Sequence, residues 1–189
     1  MVFIDESGLL MAPLVRRTWA PQGQTPILKQ RGKHREKISI AAALSLSPEQ
    51  DHVALHFETI VNGYFNNHRT ATFLEHLMRE IPVRILVLWD GGTMHKGDPI
   101  REAVAKFYPR LVLERLPSYA PMLNPVEYLW NWLKYGQLCN YAPRDAHELN
   151  RVALTHLRHV AKEQQTLIGF WHRSKLPFPK TGHYLSDKP

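Results

Sequence analysis

The sequence is poor in cysteine and has no long apolar run, and both features exclude classes of protein. Its 189 residues include one cysteine, Cys139, so an internal disulfide is impossible, and the histidine and basic neighbours of a reactive thiol are missing. No run of about 18 apolar residues occurs, and residues 1–6 do not resemble a secretory signal. The sequence therefore predicts a cytoplasmic protein, nucleoid-associated if it is bacterial.

Acidic residues are the scarcer of the two charge classes. The chain has 17 Asp and Glu against 24 Lys and Arg, which gives a formal net charge of +7. This balance favours an anionic partner such as nucleic acid, although a basic protein without a specific polyanion is the alternative. Because 44% of the residues are hydrophobic, the chain can bury a sizeable core as one folded domain.

Apolar periodicity predicts a strand-rich first half, followed by alternating strands and helices and then by helices. Strands are expected over residues 1–4, 16–19, 37–46, 53–61, 84–89 and 111–116. Helices are expected over residues 70–81, 100–108, 125–138 and 144–170, with Asp98 and Pro99 starting the second one. This order predicts an α/β fold in which helices cover a mixed sheet, without an internal domain boundary.

Three carboxylates stand out by their positions. Asp5 follows a short apolar run at the N-terminus, Asp90 follows the apolar run 85–89, and Glu127 lies in the proline-punctuated segment 116–127. A carboxylate at the end of a buried strand is costly to desolvate unless a cation compensates its charge. Two such strand ends side by side would form a cage of hard oxygen ligands suited to Mg²⁺, which points to phosphoryl-transfer chemistry.

Each of these acids also has a purely structural interpretation. Asp5 and Asp90 could simply begin turns, and Asp90 with Gly91 is a strong turn dipeptide. Glu127 could complete a capping box with Asn124, in which its carboxylate bonds the backbone amide of the N-cap residue. The residues alone leave both interpretations open.

Several segments together resemble the catalytic domain of insertion-sequence and mariner-type transposases, and they occur in the same order. They are residues 4–7, 19–26, 89–90 with 95–96, and LPSYAPMLNPVEYLW at 116–130 followed by 133–134. The last stretch is similar to the family's third-carboxylate signature almost position by position. Over roughly residues 1–175 the chain resembles a DDE transposase of the mariner-type superfamily, in its bacterial insertion-sequence branch.

This resemblance implies a fold, a site and an activity. The fold would be ribonuclease H-like, a mixed five-stranded sheet flanked by helices over residues 1–176, with a flexible tail over 177–189. Asp5, Asp90 and Glu127 would be a catalytic triad that binds two divalent metal ions, with Mg²⁺ as the physiological ion and Mn²⁺ as a substitute. The activity would be DNA cleavage at transposon ends and strand transfer to target DNA, by a homodimer in a synaptic complex.

The sequence departs from the family pattern in three places. The gap from Asp90 to Glu127 is slightly longer than expected for the family, an excess that residues 108–113 could absorb as a loop. The family often has Asn directly after the second Asp, whereas this chain has Gly91, which removes an amide that could orient the carboxylate. The first residue lies only four positions before Asp5, so we expect the family's N-terminal helix-turn-helix region to be absent. The chain would then be a split-frame product with a separate helix-turn-helix subunit, a trimmed catalytic core or an inactive relic.

These departures keep two other functions open. One is a structure-selective nuclease that hydrolyses DNA without joining strands. The other is a non-catalytic DNA-binding or assembly subunit, which Gly91 and the missing recognition region favour.

Basic side chains alternate along one segment and are the main candidates for DNA contact. The odd positions are Lys29, Arg31, Lys33, Arg35 and Lys37. In an extended segment they would share one face and could follow phosphates, while a solvated hairpin edge protected from aggregation is the alternative. His95, Lys96 and Tyr119 are the other expected DNA contacts, although His95 could also be a plain loop residue.

Overall fold

The computed structural model describes residues 1–29 and 36–176, and a mixed five-stranded sheet forms its centre. The strands are β1 (Val2–Leu10), β2 (Lys37–Leu46), β3 (Val53–Val61), β4 (Ile85–Trp89) and β5 (Leu111–Arg115). Their order across the sheet is β3-β2-β1-β4-β5. The pairs β1/β2 and β2/β3 are antiparallel, whereas β1/β4 and β4/β5 are parallel. The predicted mixed five-stranded sheet is therefore confirmed.

Helices cover both faces of this sheet. They are α1 (Asn67–Glu80), α2 (Asp98–Phe107), α3 (Val126–Asn131), α4 (Ala146–Val160) and α5 (Gln164–Arg173). Apolar residues of α1 and α2 form one core with the sheet, and those of α3, α4 and α5 form a second core on the opposite face. No helix in residues 1–29 and 36–176 has the length and apolar character needed to cross a membrane.

The central strand β1 contributes to both cores because its side chains alternate between the two faces. Val2 and Ile4 belong to the core under α1 and α2. Phe3 belongs to the other core, where its ring meets Trp171 of α5 edge to face at a centroid distance of 5.2 Å. By the same alternation, Asp5 lies on the α3 side of the sheet and Glu6 on the side of α1 and α2.

The two neighbours of β1 pair with it over very different lengths. Strand β2 pairs with β1 all the way from Val2↔Ser45 to Leu10↔Lys37. Strand β4 pairs only at Val2↔Val87 and Phe3↔Leu88 and ends at Trp89. Beyond these pairs no strand of residues 1–29 and 36–176 pairs with β1 on its β4 side, and Asp5 and Asp90 both lie just past this point.

Most predicted strands are found, and two predictions were wrong. β2 and β3 have the predicted bounds, and β4 and β5 differ from them by one residue. β1 was predicted to end at residue 4 but continues to Leu10, because β2 pairs with its polar half as well. Asp5 is therefore inside a strand rather than at its end. Residues 16–19 form no strand, and Trp19 is fully exposed.

Helices occur in every region where one was predicted, but several of their boundaries differ from the prediction. α1 begins earlier than predicted because the Asn66 side chain accepts a hydrogen bond from the Arg69 amide at 3.0 Å. α2 has Gly97 at its N-cap, with φ of 101°, and Asp98 is already helical. The single helix predicted over residues 144–170 is two helices in the structure, because the helical conformation is interrupted between Val160 and Gln164.

The helix predicted over residues 125–138 changes its winding midway. It is α-helical over α3 and then continues as a π-helical turn, Trp132–Gln137. Such turns are rare and occur often at functional sites. Here the turn follows directly on the helix that carries Glu127.

One buried amide links the central strand to the start of α3. Asn124 is almost fully buried, and its Nδ2 donates a hydrogen bond to the Ile4 carbonyl at 3.1 Å. Its Oδ1 accepts a hydrogen bond from the Val126 amide, also at 3.1 Å. A single side chain therefore fixes the position of α3 relative to β1.

We expect Asn124→Ala to lower the free energy of unfolding by about 1–3 kcal/mol, because both buried partners lose their hydrogen bonds. Asn131→Ala, at an exposed position of the same helix, is the matched control and should change it by no more than about 0.5 kcal/mol. Urea denaturation followed by circular dichroism measures both. Equal losses in the two variants would contradict the linking role of Asn124.

Candidate active site

The three acids singled out from the sequence line one cavity beside the carboxyl end of β4. The cavity has a volume of about 470 Å³, and its wall includes Asp5, Asp90, Glu127 and residues 116–121. Asp5 comes from β1, Asp90 from the residue after β4, and Glu127 from the first turn of α3. The fold therefore brings together three carboxylates that are far apart in sequence.

Asp5 is the most perturbed of these acids. Its Oδ2 accepts a hydrogen bond from the indole Nε1 of Trp130 at 2.7 Å. Burial, together with the neighbouring Glu127 carboxylate, raises the pKa of Asp5 to about 7 despite the Trp130 bond. Glu6 and Asp90 act in the same direction. The ionised form of Asp5 is thus disfavoured in the protein alone, and a bound cation would favour it.

Oδ1 of Asp90 lies close to two nitrogen atoms, one of which donates a hydrogen bond to it. Oδ1 accepts a hydrogen bond from the Gly92 amide at 2.8 Å, and it lies 2.9 Å from Nδ1 of His95. In residues 1–29 and 36–176, no protein group donates a hydrogen bond to the other oxygen, Oδ2. The side chain is 61% exposed and lines the cavity.

Glu127 does not form the capping box that was considered from the sequence. The backbone amide of Asn124 donates to the Pro121 carbonyl at 2.9 Å, and the Asn124 side chain caps the Val126 amide instead. The structural interpretation of Glu127 was therefore wrong, and its carboxylate faces the cavity. Burial raises the pKa of Glu127, with Lys134 opposing this effect and Asp90 adding to it.

Lys134 is a site residue to which the sequence analysis assigned no role. It lies in the π-helical turn, half-buried, where burial lowers its pKa while the nearby Glu127 and Asp5 carboxylates oppose that effect. It follows Glu127 by seven residues, which is about two helical turns, so both side chains lie on one face. That spacing is the sequence signal that identifies it.

His95 is buried beside the cavity, which contradicts its predicted role as a DNA contact. Its residue exposure is 4%, and its ring stacks on Trp89 at a centroid distance of 4.2 Å and an angle of 7°. Its Nε2 lies 3.1 Å from both carboxylate oxygens of Glu6. Burial lowers the pKa of His95, but the bonds to Glu6 and Asp90 outweigh it and raise the pKa overall. A ring with both nitrogens engaged inside the protein is not placed to meet a phosphate.

The other expected DNA contacts lie at the surface or outside the described residues. Tyr119 is fully exposed at the wall of the cavity and has a left-handed backbone with φ of 59°. Lys29 and Lys96 are exposed, and the Nζ atom of Lys37 lies 5.4 Å from the centre of the Tyr64 ring. Arg31, Lys33 and Arg35 fall in the segment 30–35, which the structure does not describe. These contacts stay predictions.

The acidic cluster fits divalent cations by its charge and its donor atoms. Four carboxylates, those of Asp5, Glu6, Asp90 and Glu127, gather here with Lys134 and His95 as the nearby basic groups. As they stand, no three His, Cys, Asp or Glu side chains of the described chain converge closely enough to enclose one ion. Mg²⁺ does not require this, since it is commonly held by one or two carboxylates together with water and substrate phosphates.

A larger cavity, of about 570 Å³, lies elsewhere on the helical face and lacks these groups. Arg16, Trp132, Tyr135 and Arg173 are among its lining residues, and no Asp or Glu is. The guanidinium of Arg16 lies 4.9 Å from the centre of the Tyr135 ring. We therefore choose the active-site candidate by its lining residues and not by its size, because of these two cavities only the smaller one is lined by carboxylates.

The chain matches a known family of enzymes in sequence, and its fold resembles solved structures. The family model described as DDE superfamily endonuclease matches residues 1–152. The Mos1 mariner paired-end complex with Mg is a similar structure, with a TM-score of 0.64, 18% identity, and coverage of 92% of this chain and 53% of that one. No curated protein sequence is a significant match.

Two further Mos1 structures also resemble the chain. The Mos1 strand transfer complex gives a TM-score of 0.63 at 17% identity, covering 92% of this chain and 50% of the other. The catalytic domain of Mos1 mariner transposase gives 0.58 at 16% identity, covering 92% and 74%. This chain thus spans about half the length of the Mos1 chain in the DNA complexes.

At these identities the structural similarity establishes the fold, and it confirms the predicted ribonuclease H-like architecture. The bacterial insertion-sequence branch stays a prediction. The family model covers β1 to β5 and α1 to α3, including Asp5, Asp90 and Glu127. Because that match extends over most of the sequence, the chain belongs to the DDE superfamily endonuclease family.

Proposed function

We propose that this chain is the catalytic domain of a transposase, which cleaves DNA at transposon ends and joins the freed 3′-hydroxyl to target DNA. The observation that carries the proposal is the cluster of Asp5, Asp90 and Glu127 around one cavity, with Lys134 beside them. The similar Mos1 structures, named as paired-end and strand transfer complexes, support the same reaction.

Asp5, Asp90 and Glu127 would hold two divalent cations, with Mg²⁺ as the working ion and Mn²⁺ as a substitute. When bound, such ions supply the positive charge that acidifies an attacking hydroxyl and stabilises a leaving oxygen. The protein orients the ligands: Trp130 fixes one oxygen of Asp5, and the Gly92 amide fixes one oxygen of Asp90. Lys134 would contribute a cation near Glu127 and Asp5, where a scissile phosphate would bring further negative charge.

DNA would reach the cavity across its exposed and basic rim. Tyr119 and Lys96 are exposed near the acids, and Lys29 begins the basic segment that continues through Arg31, Lys33 and Arg35. Phosphate contacts of this kind position a strand without reading its sequence. Recognition of the transposon end would therefore come from a separate helix-turn-helix subunit or region.

Synapsis of two DNA ends would involve a homodimer. The segment between β1 and β2 supports a partner, because Val15, Trp19 and Ile27 are 74%, 100% and 82% exposed. Large apolar side chains of one segment are rarely left in water together without a partner surface. The dimer is part of the proposal, and this segment is our candidate for contact between protomers.

We expect the wild-type domain to nick supercoiled plasmid DNA in Mg²⁺ or Mn²⁺ and to join an oligonucleotide with a free 3′-hydroxyl into the plasmid. Glu127→Gln should abolish both reactions while the thermal unfolding temperature stays close to that of the wild type. The carboxylate is a ligand in our scheme, and the amide keeps its shape but loses the charge. Glu102→Gln, at an exposed position of α2, is the matched control.

Other outcomes of that assay would support the alternatives. Nicking without joining would indicate a structure-selective nuclease. Neither reaction in the wild type, with no gain in thermal stability from Mg²⁺ or Mn²⁺, would indicate a non-catalytic DNA-binding subunit. A folded Glu127→Gln variant with full activity would refute the assignment of Glu127.

The raised pKa of Asp5 predicts how the fold responds to pH. The unfolded chain loses this proton near the ordinary value of 3.8, whereas the folded protein keeps it up to about 7. The contribution of this proton to the free energy of unfolding is therefore fully present at low pH, and it is lost as the pH rises towards 7. In chelator, Asp5→Asn should raise the unfolding temperature at pH 8 and change it little at pH 4.

The same linkage governs the effect of metal. Mg²⁺ should raise the unfolding temperature of the wild type more at pH 8 than at pH 5.5, because binding must displace the Asp5 proton at the lower pH. Asp5→Asn should lose most of this metal effect. Differential scanning fluorimetry measures the unfolding temperature of both proteins at both pH values, with and without Mg²⁺. A rise in unfolding temperature on adding metal that does not depend on pH would argue against Asp5 as a ligand.

Gly92 allows Asp90 to adopt its observed orientation. A Cβ atom at Gly92 would lie 2.9 Å from Oδ1 of Asp90 and 2.8 Å from Sδ of Met94. A Cβ atom at Gly91 would have no neighbour within 4 Å. Steric space, rather than backbone conformation, therefore distinguishes the two adjacent glycines.

Gly92→Ala should displace the Asp90 carboxylate and lower the nicking rate on the order of 10²-fold, the cost of a misplacement of about 1 Å in an active site. Gly91→Ala is the matched control and should cause a much smaller loss. Plasmid nicking under saturating Mg²⁺ compares the two, with circular dichroism as the test of folding. Equal losses would show that any side chain in this turn is harmful and that Asp90 is not held as described.

A further inference from the structure

His95 fills the space between two acids on neighbouring strands. Its Nε2 lies 3.1 Å from both oxygens of Glu6. Its Nδ1 lies 3.0 Å from the backbone carbonyl of Asp90 and 2.9 Å from Oδ1 of the same residue. The His95 side chain is 1% exposed and that of Glu6 is 10% exposed. Both ring nitrogens are thus engaged in a place that water barely reaches.

The partners on both sides of the ring determine what it does. An ionised carboxylate and a backbone carbonyl only accept hydrogen bonds, so a ring placed between them acts as a donor at each nitrogen. Trp89 holds the plane of the ring by stacking, and Glu6 fixes its rotation by meeting Nε2 with two oxygens. The Nδ1–H group is therefore presented to Asp90 in one orientation.

The bridge lies where the ladder between β1 and β4 has ended. Glu6 is paired with Ala41 of β2, but the pairing of β1 with β4 stops at Phe3↔Leu88, so within residues 1–29 and 36–176 no ladder pair joins Glu6 to Asp90. Glu6 is on the opposite face of β1 from Asp5, and thus on the side away from α3. The contact of Glu6 with His95 connects the two strands beyond the last ladder pair.

We propose that Glu6 and His95 form a positioning pair for Asp90. His95 donates Nδ1–H to the backbone carbonyl of Asp90 and brings its ring within 2.9 Å of Oδ1, which also accepts from the Gly92 amide, so that the carboxylate keeps one orientation in the wall of the cavity. Glu6 holds the ring in place for this task. The pair supplies a side-chain donor where Gly91 carries none, and the proposal rests on the function assigned to Asp90 above. Neither residue contacts the reacting atoms.

Orienting groups behind metal ligands have a measurable effect. Their loss commonly reduces metal affinity or activity by about 10- to 100-fold without removing a ligand. A purely structural role of His95, in contrast, would be filled by any aromatic ring that stacks on Trp89. The variant His95→Phe keeps a ring of similar size and removes both donors, so it separates the two roles.

We expect His95→Phe to lower the nicking rate at saturating DNA by about 10- to 100-fold and to raise the Mn²⁺ concentration for half-maximal rate. Its Kd for a DNA duplex should stay within twofold of the wild-type value by fluorescence anisotropy. Titration calorimetry with Mn²⁺ alone should show the same loss of metal affinity in the absence of DNA. Circular dichroism establishes that the variant is folded.

His56 offers a matched control on the other side of the molecule. Its Nδ1 lies 2.6 Å from a carboxylate oxygen of Glu80 and its Nε2 lies 3.1 Å from Oγ of Ser45. Its side chain is 14% exposed, and it belongs to the edge strand β3, away from the acids. His56→Phe therefore removes a histidine with both nitrogens engaged, and it should leave rate and metal affinity unchanged.

Glu6→Gln keeps the proposal testable if His95→Phe does not fold. The amide oxygen of Gln can still accept the Nε2–H bond but lacks the charge, so we expect a loss of metal affinity in the same direction and of smaller size. Wild-type metal affinity and rate in a folded His95→Phe, or in Glu6→Gln where only that variant folds, would overturn the proposal. A loss confined to DNA affinity would overturn it too and make His95 a DNA contact.

The failure of the proposed function is visible separately. If the wild-type protein neither binds Mn²⁺ nor nicks DNA, the active-site assignment itself fails, and the positioning role fails with it. If the wild type does both and the two variants behave as the wild type, only the positioning pair is excluded.

Discussion

Burial of Asp5 among other carboxylates, at the point where β4 leaves β1, is the constraint on which the rest of the site depends. Burial first, and three neighbouring acids in addition, raise the pKa of Asp5 to about 7, so ionising this side chain on the central strand is costly. Every nearby donor reduces this cost: Trp130 at Asp5, the Gly92 amide and His95 at Asp90. These donors lower the free-energy cost of the ionised carboxylates only in part. A carboxylate whose oxygens all accepted hydrogen bonds from the protein would gain less from binding a cation.

The sheet topology creates this constraint. β1 is the central strand, and β2 supports its whole length while β4 leaves it after two residue pairs. Because successive side chains of β1 point to opposite faces of the sheet, Asp5 lies on the α3 side and Glu6 on the side of His95. One strand can thus carry both a proposed ligand, Asp5, and the proposed support of another, Glu6, because consecutive residues lie on opposite faces. Asn124 completes the arrangement by attaching the helix of Glu127 to the carbonyl of Ile4.

The sequence predicted those parts of the molecule that apolar alternation controls. β2 and β3 have the predicted ends because their inward residues continue to the last ladder pair. The prediction ended β1 too early, because Asp5, Glu6 and Ser7 resemble a turn when the pairing with β2 is not known. The three acids were found by their context in the chain. The positions of Glu6 and His95 were not, because their partnership joins residues 89 apart and depends on where β4 ends.

The three acids differ in how firmly the protein holds them, and this difference has a mechanistic meaning. Asp5 and Asp90 are short side chains on or beside strands, each with one oxygen hydrogen-bonded to a protein N–H group. Glu127 is longer and lies on a helix, and no hydrogen bond from residues 1–29 or 36–176 restrains its carboxylate. Two of the proposed ligands therefore have a fixed orientation, while the third can rotate. In the proposed function the same site would cleave one strand and then join another, and a ligand that can rotate would adjust to both steps. On this argument Asp5 and Asp90 would define where the cations lie, and Glu127 would accommodate the reaction.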